Sequence, residues 1–283
     1  MASILSGKEV AAALTDALVQ RTEALKAKGV SPTLAIVRVG EREDDLSYER
    51  GAMKRCEKIG VAVRQFLLPA DTTQEALLDT IRQVNEDAGI HGCLLFRPLP
   101  KQIDDEVIRQ ALAPEKDVDG ITDGSLAGVF AGTEHGFPPC TAQACMEILA
   151  HYGYDLKGKR AVVMGRSLVI GKPVAMMLLK QNATVTICHT RTVDMPARCK
   201  EADVLVVAAG RAGVVDASYV SPGQVVVDVG INVNAEGKLC GDVAFDQVEP
   251  VVGAITPVPG GVGSVTTCVL VEHVVTAAER ASR

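Results

Sequence analysis

The stretch AVVMGRSLVIGKP, at residues 161–173, decides the fold of this 283-residue chain. Its first four residues are small or apolar, as in a buried parallel strand, and Gly165 ends the run. Gly171 and Pro173 then begin an apolar periodicity that is typical of a helix. A strand, a glycine turn and a helix start in this order predict a site where backbone N–H groups bind an anion such as a pyrophosphate. Because Ser167 stands at the second glycine of the G-x-G-x-x-G fingerprint, a plain strand–helix connection is the alternative.

The next predicted strand ends in CHTRT, at residues 188–192, and the first acid after it is Asp194. Enzymes that use NAD favour an acid at this strand end, where it binds the ribose 2′-hydroxyl. Here Arg166 and Arg191, with the hydroxyl of Thr190, suit a 2′-phosphate instead. The pattern therefore predicts NADP as the cofactor rather than NAD. The alternative is that these are solvated loop residues.

Composition limits the class of protein. With 47% hydrophobic and 23% charged residues, the chain is typical of a globular protein with one large or two ordinary domains. A net charge of -6 argues against a nucleic-acid or anionic-membrane partner. Aromatic residues make up only 3%, which argues against base-stacking platforms. The sequence shows neither a membrane-span pattern nor a secretory signal.

The eight cysteines form no C-x-x-C pair, and several, such as Cys93 and Cys188, lie inside apolar segments. This usage is typical of buried, reduced thiols rather than of a disulfide framework or a zinc site. We therefore expect no metal site and a cytoplasmic location.

Strand-like and helix-like patterns alternate along the first part of the chain. Apolar runs predict strands at residues 34–39, 61–68 and 90–96, with helical spacings before, between and after them. This alternation predicts βαβ units on a parallel sheet. It stops at residues 114–140, where PEKDVDG, several glycines and a Pro-Pro pair predict a domain boundary.

A second α/β domain, of Rossmann-like dinucleotide-binding type, is predicted after that boundary. A last helix, at residues 262–278, follows a Pro/Gly hinge and is expected to return to the first domain. The predicted fold class is thus a two-domain α/β subunit. The first domain comprises residues 1–140 and 265–283, and the dinucleotide-binding domain comprises residues 141–264.

Two long motifs stand out, KDVDG at residues 116–120 and TPVPGGVG at residues 256–263. Shorter ones occur along nearly the whole chain: Val39-Gly40, Tyr48, Cys56-Glu57, Ile59-Gly60, Pro98-Leu99-Pro100, Pro139-Cys140-Thr141, Gly165-Arg166-Ser167, Gly171-Lys172-Pro173, Asp228-Val229-Gly230-Ile231-Asn232 and Gly241-Asp242-Val243. In this order, they resemble the methylenetetrahydrofolate dehydrogenase/methenyltetrahydrofolate cyclohydrolase family.

The resemblance implies a homodimer whose subunits combine a folate-binding domain with a dinucleotide domain. It implies hydride transfer from the methylene bridge of 5,10-methylene-tetrahydrofolate to NADP. In many members, hydrolysis of the methenyl product to 10-formyl-tetrahydrofolate follows in the same cleft. The first step needs positioning rather than a strong base, because the folate nitrogens stabilise the cation that forms. The hydrolysis needs a tuned acid–base group.

The resemblance and the strand-end pattern together select candidate site residues. The candidate catalytic residues are Asp119, which would bind the pterin end, Tyr48 and Lys54. The candidate substrate-binding residues are Arg50, Ala52, Phe96, Pro98, Leu99, Gly260 and Gly261. The candidate cofactor-binding residues are Gly165, Arg166, Ser167, Ile170, Gly171, Thr190, Arg191, Gly210, Gly230, Ile231 and Thr266. For Asp119 the alternative is a turn-forming role before a glycine.

Two departures from the family pattern concern the hydrolysis. Counting from Tyr48, the position of the family's catalytic lysine holds Ala52, and Phe96 replaces a glutamine expected to hydrogen-bond that lysine. Lys54 lies about 200° round a regular helix from Ala52, so it could act only if the helix is distorted. Otherwise Lys54 is a solvated helix residue.

We therefore expect a dehydrogenase whose cyclohydrolase activity is weak or absent. The main alternative is a bifunctional enzyme that performs both steps. Two remoter alternatives are an oxidoreductase resembling shikimate dehydrogenase, and a non-catalytic NADP-binding module.

Overall fold

The computed structural model describes residues 2–282 and divides into two compact units. The six-stranded unit comprises the chain up to Ala12 together with Thr141–Thr266. The three-stranded unit comprises Ala13–Cys140 together with the chain from Thr267 onward. The division after Ala12 falls inside the first helix.

The strands and helices follow one another in the alternation that the sequence predicts. The strands are β1 (Ser3–Ile4), β2 (Thr33–Val39), β3 (Ala62–Leu68), β4 (Gly92–Leu95), β5 (Arg160–Met164), β6 (Thr184–Cys188), β7 (Val204–Val207), β8 (Val225–Asp228), β9 (Asn232–Val233), β10 (Leu239–Cys240) and β11 (Ala254–Ile255). The α-helices are α1 (Gly7–Ala27), α2 (Glu43–Ile59), α3 (Gln74–Glu86), α4 (Asp105–Ala111), α5 (Asp123–Ala131), α6 (Cys140–His151), α7 (Gly171–Lys180), α8 (Met195–Lys200), α9 (Phe245–Val248) and α10 (Thr266–Ala281). Short 3-10 turns lie at Pro114–Lys116, Ala217–Tyr219 and Val262–Ser264.

The six-stranded unit is built on a parallel sheet with the strand order β1-β11-β8-β7-β5-β6. Strands β7 and β8 are buried along their whole length, as expected for parallel strands covered on both faces. Because β5 has β6 on one side and β7 on the other, the order of the sheet reverses beside β5. Open α/β sheets bind ligands at such a reversal, outside the carboxyl ends of the strands.

The three-stranded unit is built on the parallel sheet β3-β2-β4. All seven residues of the central strand β2 are buried. Leu77 and Ile81 of α3 and Ile108 of α4 belong to the same apolar core as β2 and β4. Helix α10 also belongs to this unit, since the Arg21 guanidinium on α1 donates to both carboxylate oxygens of Glu279, at 2.9 and 2.8 Å.

The structure differs from the predicted domain boundaries at the N-terminus. Ser3 pairs with Ala254 and Ile4 pairs with Ile255, so β1 is an edge strand of the six-stranded sheet. By its contacts, the chain before Ala13 groups with the six-stranded unit, whereas the predicted first domain includes these residues.

Two further elements differ from prediction. The single helix predicted at residues 262–278 is divided into the 3-10 turn Val262–Ser264 and the helix α10. The stretch predicted to be a domain boundary contains the helix α5. All eight cysteines carry free thiols, and seven of them are buried. No helix within residues 2–282 is long and apolar enough to cross a bilayer.

Candidate active site

Two glycines hold the turn after β5 close to the neighbouring strand end. Gly165 has a φ of +134°, and a Cβ on it would clash with the carbonyl oxygen of Ala208, just after β7. A Cβ on Gly171 would clash with the carbonyl oxygen of Gly165. The start of α7 therefore lies directly against the carboxyl end of β5, which is the arrangement that an anion site requires.

Ser167 orders this turn in place of a second glycine. Its Oγ accepts hydrogen bonds from the N–H groups of Ile170, at 3.1 Å, and Gly171, at 3.4 Å. Its carbonyl oxygen accepts from the N–H of Lys172 at 3.0 Å. The side chains of Arg166 and Ser167 are exposed. An anion at the turn would meet the positive end of the α7 dipole beside an exposed guanidinium.

The turn after β6 carries a second exposed cation. The N–H of His189 donates to Thr192 Oγ1 at 2.9 Å, and the N–H of Arg191 donates to His189 Nδ1 at 3.2 Å. Thr190 and Arg191 are both exposed. Within residues 2–282, neither Arg166 nor Arg191 forms an ion pair with a carboxylate. Two adjacent strand ends thus each present a guanidinium that can bind a phosphate.

Asp242 fixes the turn after β7, although the sequence analysis does not select it as a site residue. Its fully buried carboxylate accepts from the N–H groups of Ala209 (2.7 Å), Gly210 (2.8 Å) and Arg211 (2.9 Å). It also accepts from Asn232 Nδ2 at 2.9 Å. The candidate cofactor residue Gly210 is therefore held in place by a charged side chain from a later part of the chain.

Asp228, the last residue of β8, is held in a similar way. Its carboxylate accepts from the N–H groups of Gly230 (2.9 Å), Asp242 (3.0 Å) and Val243 (3.0 Å). Burial raises the pKa of Asp228 to about 6; the hydrogen bonds oppose this shift, and the Asp242 charge adds to it. Gly241 has no room for a Cβ beside this carboxylate. The two acids thus shape the backbone of the strand ends. The signal for them in the sequence is their place in the DVGIN and GDV motifs.

A cavity of about 250 Å³ lies between the end of β8 and the TPVPGGVG loop. Its lining brings the candidate cofactor residues Gly230 and Ile231 together with the candidate substrate residues Gly260 and Gly261. Most of the remaining lining comes from prolines, valines and glycines of the same loop. The cavity is thus a largely apolar recess at the carboxyl edge of the sheet, where a ligand ring can be shielded from water.

Two contacts hold the TPVPGGVG loop. The N–H of Gly7, at the start of α1, donates to the carbonyl oxygen of Gly260 at 2.8 Å. A side chain on Gly7 would clash with the carbonyl oxygen of Gly261. Thr266 does not line the cavity, and its hydroxyl donates to the carbonyl oxygen of Gly263 at 3.2 Å. Thr266 therefore supports the end of the loop.

In the three-stranded unit, the KDVDG turn presents Asp119, which is half-buried. Burial raises the pKa of Asp119 to about 6. A hydrogen bond with the Cys140 thiol and the charge of Arg97 lower this pKa, whereas the charge of Asp117 raises it. A carboxyl group that titrates near neutrality beside a specific partner is a candidate functional group.

The same turn is held by its other two charged residues. The carboxylate of Asp117 accepts from the N–H groups of Ile121 (3.0 Å) and Thr122 (2.7 Å). The ammonium of Lys116 donates to two carbonyl oxygens at the end of α3, at 2.6 Å each. Gly120 has a φ of +68°, and a Cβ on it would clash with the backbone at residues 137–139. Asp117, rather than Asp119, thus supplies the turn-forming hydrogen bonds.

Tyr48 and Phe96 meet edge to face, with ring centroids 6.1 Å apart and planes at 80°. Phe96 is 8% exposed, and Ala52 on α2 is not exposed at all. The structure differs here from the expectation that Ala52 contacts the substrate, because Ala52 offers no surface to a ligand. The family resemblance implies a lysine at this position, and Ala52 leaves the position without a polar group.

Lys54 and Arg50 are exposed on α2. The helix runs without interruption from Glu43 to Ile59, so the distortion that Lys54 would need in order to reach the face of Ala52 does not occur. The structure therefore does not bring the candidate catalytic Lys54 together with Ala52.

The segment after β4 supplies the other candidate substrate residues. Pro98 is exposed, and Leu99 packs against the apolar core of the unit. The preceding peptide bond, Arg97–Pro98, is cis. The guanidinium of Arg97 forms an ion pair with Asp105. Leu99 thus anchors this segment in the apolar core.

A buried ion pair, which was not predicted from the sequence, fixes α2 against the sheet. Arg38 Nε on β2 donates to Glu49 Oε2 on α2 at 2.8 Å, and both side chains are almost fully buried. Gln65 on β3 also donates to Glu49. Hydrophobic periodicity carries no signal for such a pair, because both residues interrupt the apolar pattern.

The six-stranded unit has a glycine turn, suited to binding phosphate, after the strand at which its strand order reverses. This arrangement is typical of dinucleotide-binding proteins. Two family models identify the chain further. The model for the tetrahydrofolate dehydrogenase/cyclohydrolase catalytic domain matches residues 5–119, and the model for the NAD(P)-binding domain of the same family matches residues 139–282. The chain belongs to the tetrahydrofolate dehydrogenase/cyclohydrolase family.

Known relatives match over almost the full length. The bifunctional protein FolD of Carboxydothermus hydrogenoformans is 56% identical over 281 residues, 99% of this chain and 98% of the relative. The crystal structure of FolD from Campylobacter jejuni has a TM-score of 0.96 at 38% identity, and the match covers 99% of each chain. The Trypanosoma brucei enzyme, crystallised with NADP cofactor and an inhibitor, has a TM-score of 0.92 at 34% identity, covering 100% of this chain and 99% of that one.

These findings confirm the family resemblance. They do not support the expectation of weak or absent cyclohydrolase activity, because the FolD relatives are named bifunctional; the bifunctional alternative fits them better. Membership in this family also favours a folate enzyme over one resembling shikimate dehydrogenase. Within residues 2–282, no group of three His, Cys, Asp or Glu side chains is placed to hold a metal ion.

Proposed function

We propose that this chain oxidises 5,10-methylene-tetrahydrofolate with NADP and hydrolyses the methenyl product to 10-formyl-tetrahydrofolate. The observation that carries the proposal is the glycine-constrained turn between Gly165 and Gly171, with Arg166 and Arg191 exposed on adjacent strand ends and without carboxylate partners. Family membership supports the folate substrate, and the names of the FolD relatives support the two-step activity.

The residues of the six-stranded unit fit NADP. The turn between Gly165 and α7 would bind the pyrophosphate at the positive end of the α7 dipole. The guanidiniums of Arg166 and Arg191 would bind the 2′-phosphate, and the hydroxyl of Thr190 can donate to the same group. When bound, NADP supplies the acceptor for the hydride. A 2′-hydroxyl offers these cations no charge, which is the basis of the preference for NADP over NAD.

Positioning is the main task of the cavity between β8 and the TPVPGGVG loop. We assign to this cavity the ring that receives the hydride. Asp228 accepts from the N–H of Gly230, and Asp242 accepts from Asn232 Nδ2, so hydrogen bonds hold the wall of the cavity on both sides of Ile231. The largely apolar lining places few polar groups beside the hydride path.

Asp119 is the residue that we assign to the pterin. As an anion, its carboxylate can accept hydrogen bonds from the amino and ring N–H groups of the pterin. The hydride step itself needs no general base, because the folate nitrogens stabilise the methenyl cation. Asp119 therefore acts in binding and orientation.

A dehydrogenase without hydrolytic activity is the second candidate function. The buried Ala52 and the apolar Phe96 favour it, because neither can transfer a proton or hold a lysine that does. In the bifunctional reading, another titratable group must perform the proton transfers of hydrolysis.

A paired assay on one purified sample separates the two candidates. Reduction of NADP, and separately of NAD, is followed with methylene-tetrahydrofolate, and hydrolysis of methenyl-tetrahydrofolate is compared with the spontaneous rate. Hydrolysis well above background supports the bifunctional proposal, and hydrolysis at background supports the dehydrogenase alone. A sample that binds NADP but reduces none with this substrate would contradict both.

We also propose that the chain forms a homodimer, as the family resemblance implies. Val233 and Leu239, on the antiparallel strands β9 and β10, are 65% and 50% exposed, which provides apolar surface for a second copy. Light scattering during size-exclusion chromatography is expected to give twice the 29.8 kDa chain mass. A monomer at micromolar concentration would contradict this proposal.

A further inference from the structure

Lys8 has no part in the reaction described so far, yet its side chain lies at the cavity that we assign to the hydride-receiving ring. It is the second residue of α1 and is exposed. Its Cε lies 3.8 Å from the point where a Cβ on Gly260 would lie, and Pro257 Cγ lies 3.9 Å from the same point. Gly260 and Pro257 both line the cavity. The stem of Lys8 therefore packs beside this lining, and its ammonium, one bond beyond Cε, lies at the edge of the cavity.

The backbone around Lys8 is anchored on both sides. The N–H of Gly7 donates to the carbonyl oxygen of Gly260 at 2.8 Å, which ties the start of α1 to the cavity loop. On the other side, the Tyr152 hydroxyl lies 3.3 Å from a carboxylate oxygen of Glu9. Within residues 2–282, Lys8 itself forms no ion pair with a carboxylate. The start of α1 thus holds Lys8 beside the loop and leaves its ammonium able to meet a ligand.

Asp228, the titratable group in the cavity wall, is already hydrogen-bonded to the backbone. Among the described residues that line the cavity, it is the only one with a titratable side chain. One of its carboxylate oxygens accepts from the N–H groups of Gly230 and Asp242, and the other accepts from the N–H of Val243. Asp228 is 3% exposed, so it has almost no access to solvent. Lys8 is thus the group at this cavity that can exchange protons with both a ligand and solvent.

The position of the reacting carbon follows from the first step of the reaction. Hydride transfer requires the donor carbon of the folate within about 3–3.5 Å of the ring carbon that receives the hydride. With that ring in the cavity, the donor carbon and its two attached nitrogens lie at the cavity edge. The hydrolysis then acts on the same carbon. A proton donor for the hydrolysis must therefore lie at this edge, where the Lys8 ammonium is.

We propose that Lys8 is a catalytic residue for the hydrolysis, as the general acid that protonates the leaving nitrogen of the folate. The proposal rests on the proposed function, since it takes the hydride-receiving ring to occupy the cavity and the chain to perform both steps. It assigns the titratable group that the hydrolysis requires, which neither Ala52 nor Phe96 can provide.

The hydrolytic step balances with water as the only co-reactant. Water attacks the bridging carbon of the methenyl cation, a C–O bond forms, and one water proton goes to solvent. The bond from this carbon to N5 then breaks, its electron pair goes to N5, and N5 takes a proton from the Lys8 ammonium. The second water proton goes to solvent as the formyl C=O bond forms, and solvent returns one proton to Lys8. In sum, the methenyl cation and water give 10-formyl-tetrahydrofolate and one proton.

The first test compares Lys8→Arg with Lys8→Met in the paired assay. Arginine keeps the charge but does not give up a proton near neutral pH, and methionine removes both properties. Relative to NADP reduction, we expect hydrolysis of methenyl-tetrahydrofolate to fall about 100-fold or more in both variants. Lys180→Met is the matched control, because Lys180 is an exposed lysine in the last turn of α7, at the opposite end from the glycine turn. It should keep the ratio of the unaltered chain.

The outcomes of this test separate the role of Lys8 from the proposed function. If Lys8→Arg keeps the ratio and Lys8→Met loses it, only a charge is needed, as for binding an anionic part of the substrate, and the proposal is overturned. If the unaltered chain and both variants hydrolyse equally well, the role of Lys8 fails and the bifunctional proposal stands. If the unaltered chain reduces NADP but hydrolyses at background, the bifunctional proposal and the role of Lys8 fail together.

The second test restores the proton donor from solution. In Lys8→Ala, added ethylammonium should raise the hydrolysis rate in proportion to its concentration, after subtraction of the rate without protein. Tetramethylammonium and guanidinium at the same ionic strength carry the charge but do not donate a proton near neutral pH, so they should give no increase. No response to ethylammonium, or an equal response to all three cations, would overturn the proposal. NADP reduction by the same sample shows that the variant is folded.

Discussion

Both units hold acids at their candidate sites, but they stabilise them differently. In the six-stranded unit, Asp228 and Asp242 are surrounded by backbone N–H donors, with one side-chain amide. In the three-stranded unit, burial raises the pKa of Asp119, and the Cys140 thiol and the charge of Arg97 lower it. A carboxylate held by backbone amides is a fixed part of the framework. One held by titratable or mobile side chains can be tuned, and this suits a group that meets a substrate.

The largest effect is expected where backbone donors lose their acceptor. Asp242→Ala leaves three N–H groups, of Ala209, Gly210 and Arg211, without their buried partner. We expect the free energy of unfolding to fall by about 3–5 kcal/mol, measured by urea denaturation. Asp242→Asn retains an acceptor oxygen and should lose clearly less. Equal stability of all three chains would show that the network is not structural.

A somewhat smaller effect is expected for the buried pair in the other unit. Arg38→Met leaves Glu49 buried without its cation and should lower the free energy of unfolding by about 3 kcal/mol. The double variant Arg38→Met/Glu49→Leu should recover most of this loss, because apolar groups can replace both partners. Failure of the double variant to recover would show that α2 needs the charges themselves. Asp242 offers no such replacement, since three of its donors belong to the backbone.

The substitution Asp119→Asn tests whether the Asp119 carboxylate binds the substrate. The amide cannot act as a charged acceptor, so we expect kcat/KM for methylene-tetrahydrofolate to fall roughly 30- to 100-fold at pH 8. The KM for NADP should not change. Since the unaltered carboxyl is itself protonated below about pH 6, the gap between the two chains should narrow as the pH falls. A gap that is constant with pH would contradict an ionised Asp119.

The smallest effect is expected at an exposed cation. Arg191→Ala should raise the KM for NADP about tenfold and leave the KM for NAD nearly unchanged. Arg198→Ala is the matched control, because Arg198 is an exposed arginine on α8 of the same unit, paired with Glu201. If Arg191→Ala changes the KM for NADP and the KM for NAD by the same factor, Arg191 does not bind the 2′-phosphate.

The α/β class could be predicted because strand and helix patterns are local. The helix α5 could not, because its sequence, DGSLAGVFA, contains two glycines that are typical of a loop. The structure explains them by close packing: a Cβ on Gly128 would clash with the carbonyl oxygen of His135, and one on Gly124 would meet Pro114. Thr122 caps the helix by accepting from the N–H of Ser125 at 3.1 Å. Tertiary contacts here override propensity.

Prediction of the site is limited in the same way. Gly165, Ser167 and Gly171 could be identified because they act within one continuous turn. The role of Asp242 depends on backbone groups far away in the chain, such as Gly210, and no periodicity reports such a pair. Residues that support a site from a distant part of the chain therefore cannot be identified from a single sequence.

The pairing of β1 with β11 has a consequence for how the chain is made. Ser3 leaves the ribosome early, yet its partner Ala254 is synthesised roughly ten to fifty seconds later at ordinary translation rates. The three-stranded unit likewise waits for α10. A nascent chain that stops before Ala254 therefore lacks an edge of one sheet and a helix of the other unit. Completion of both units therefore requires the chain from Ala254 onward.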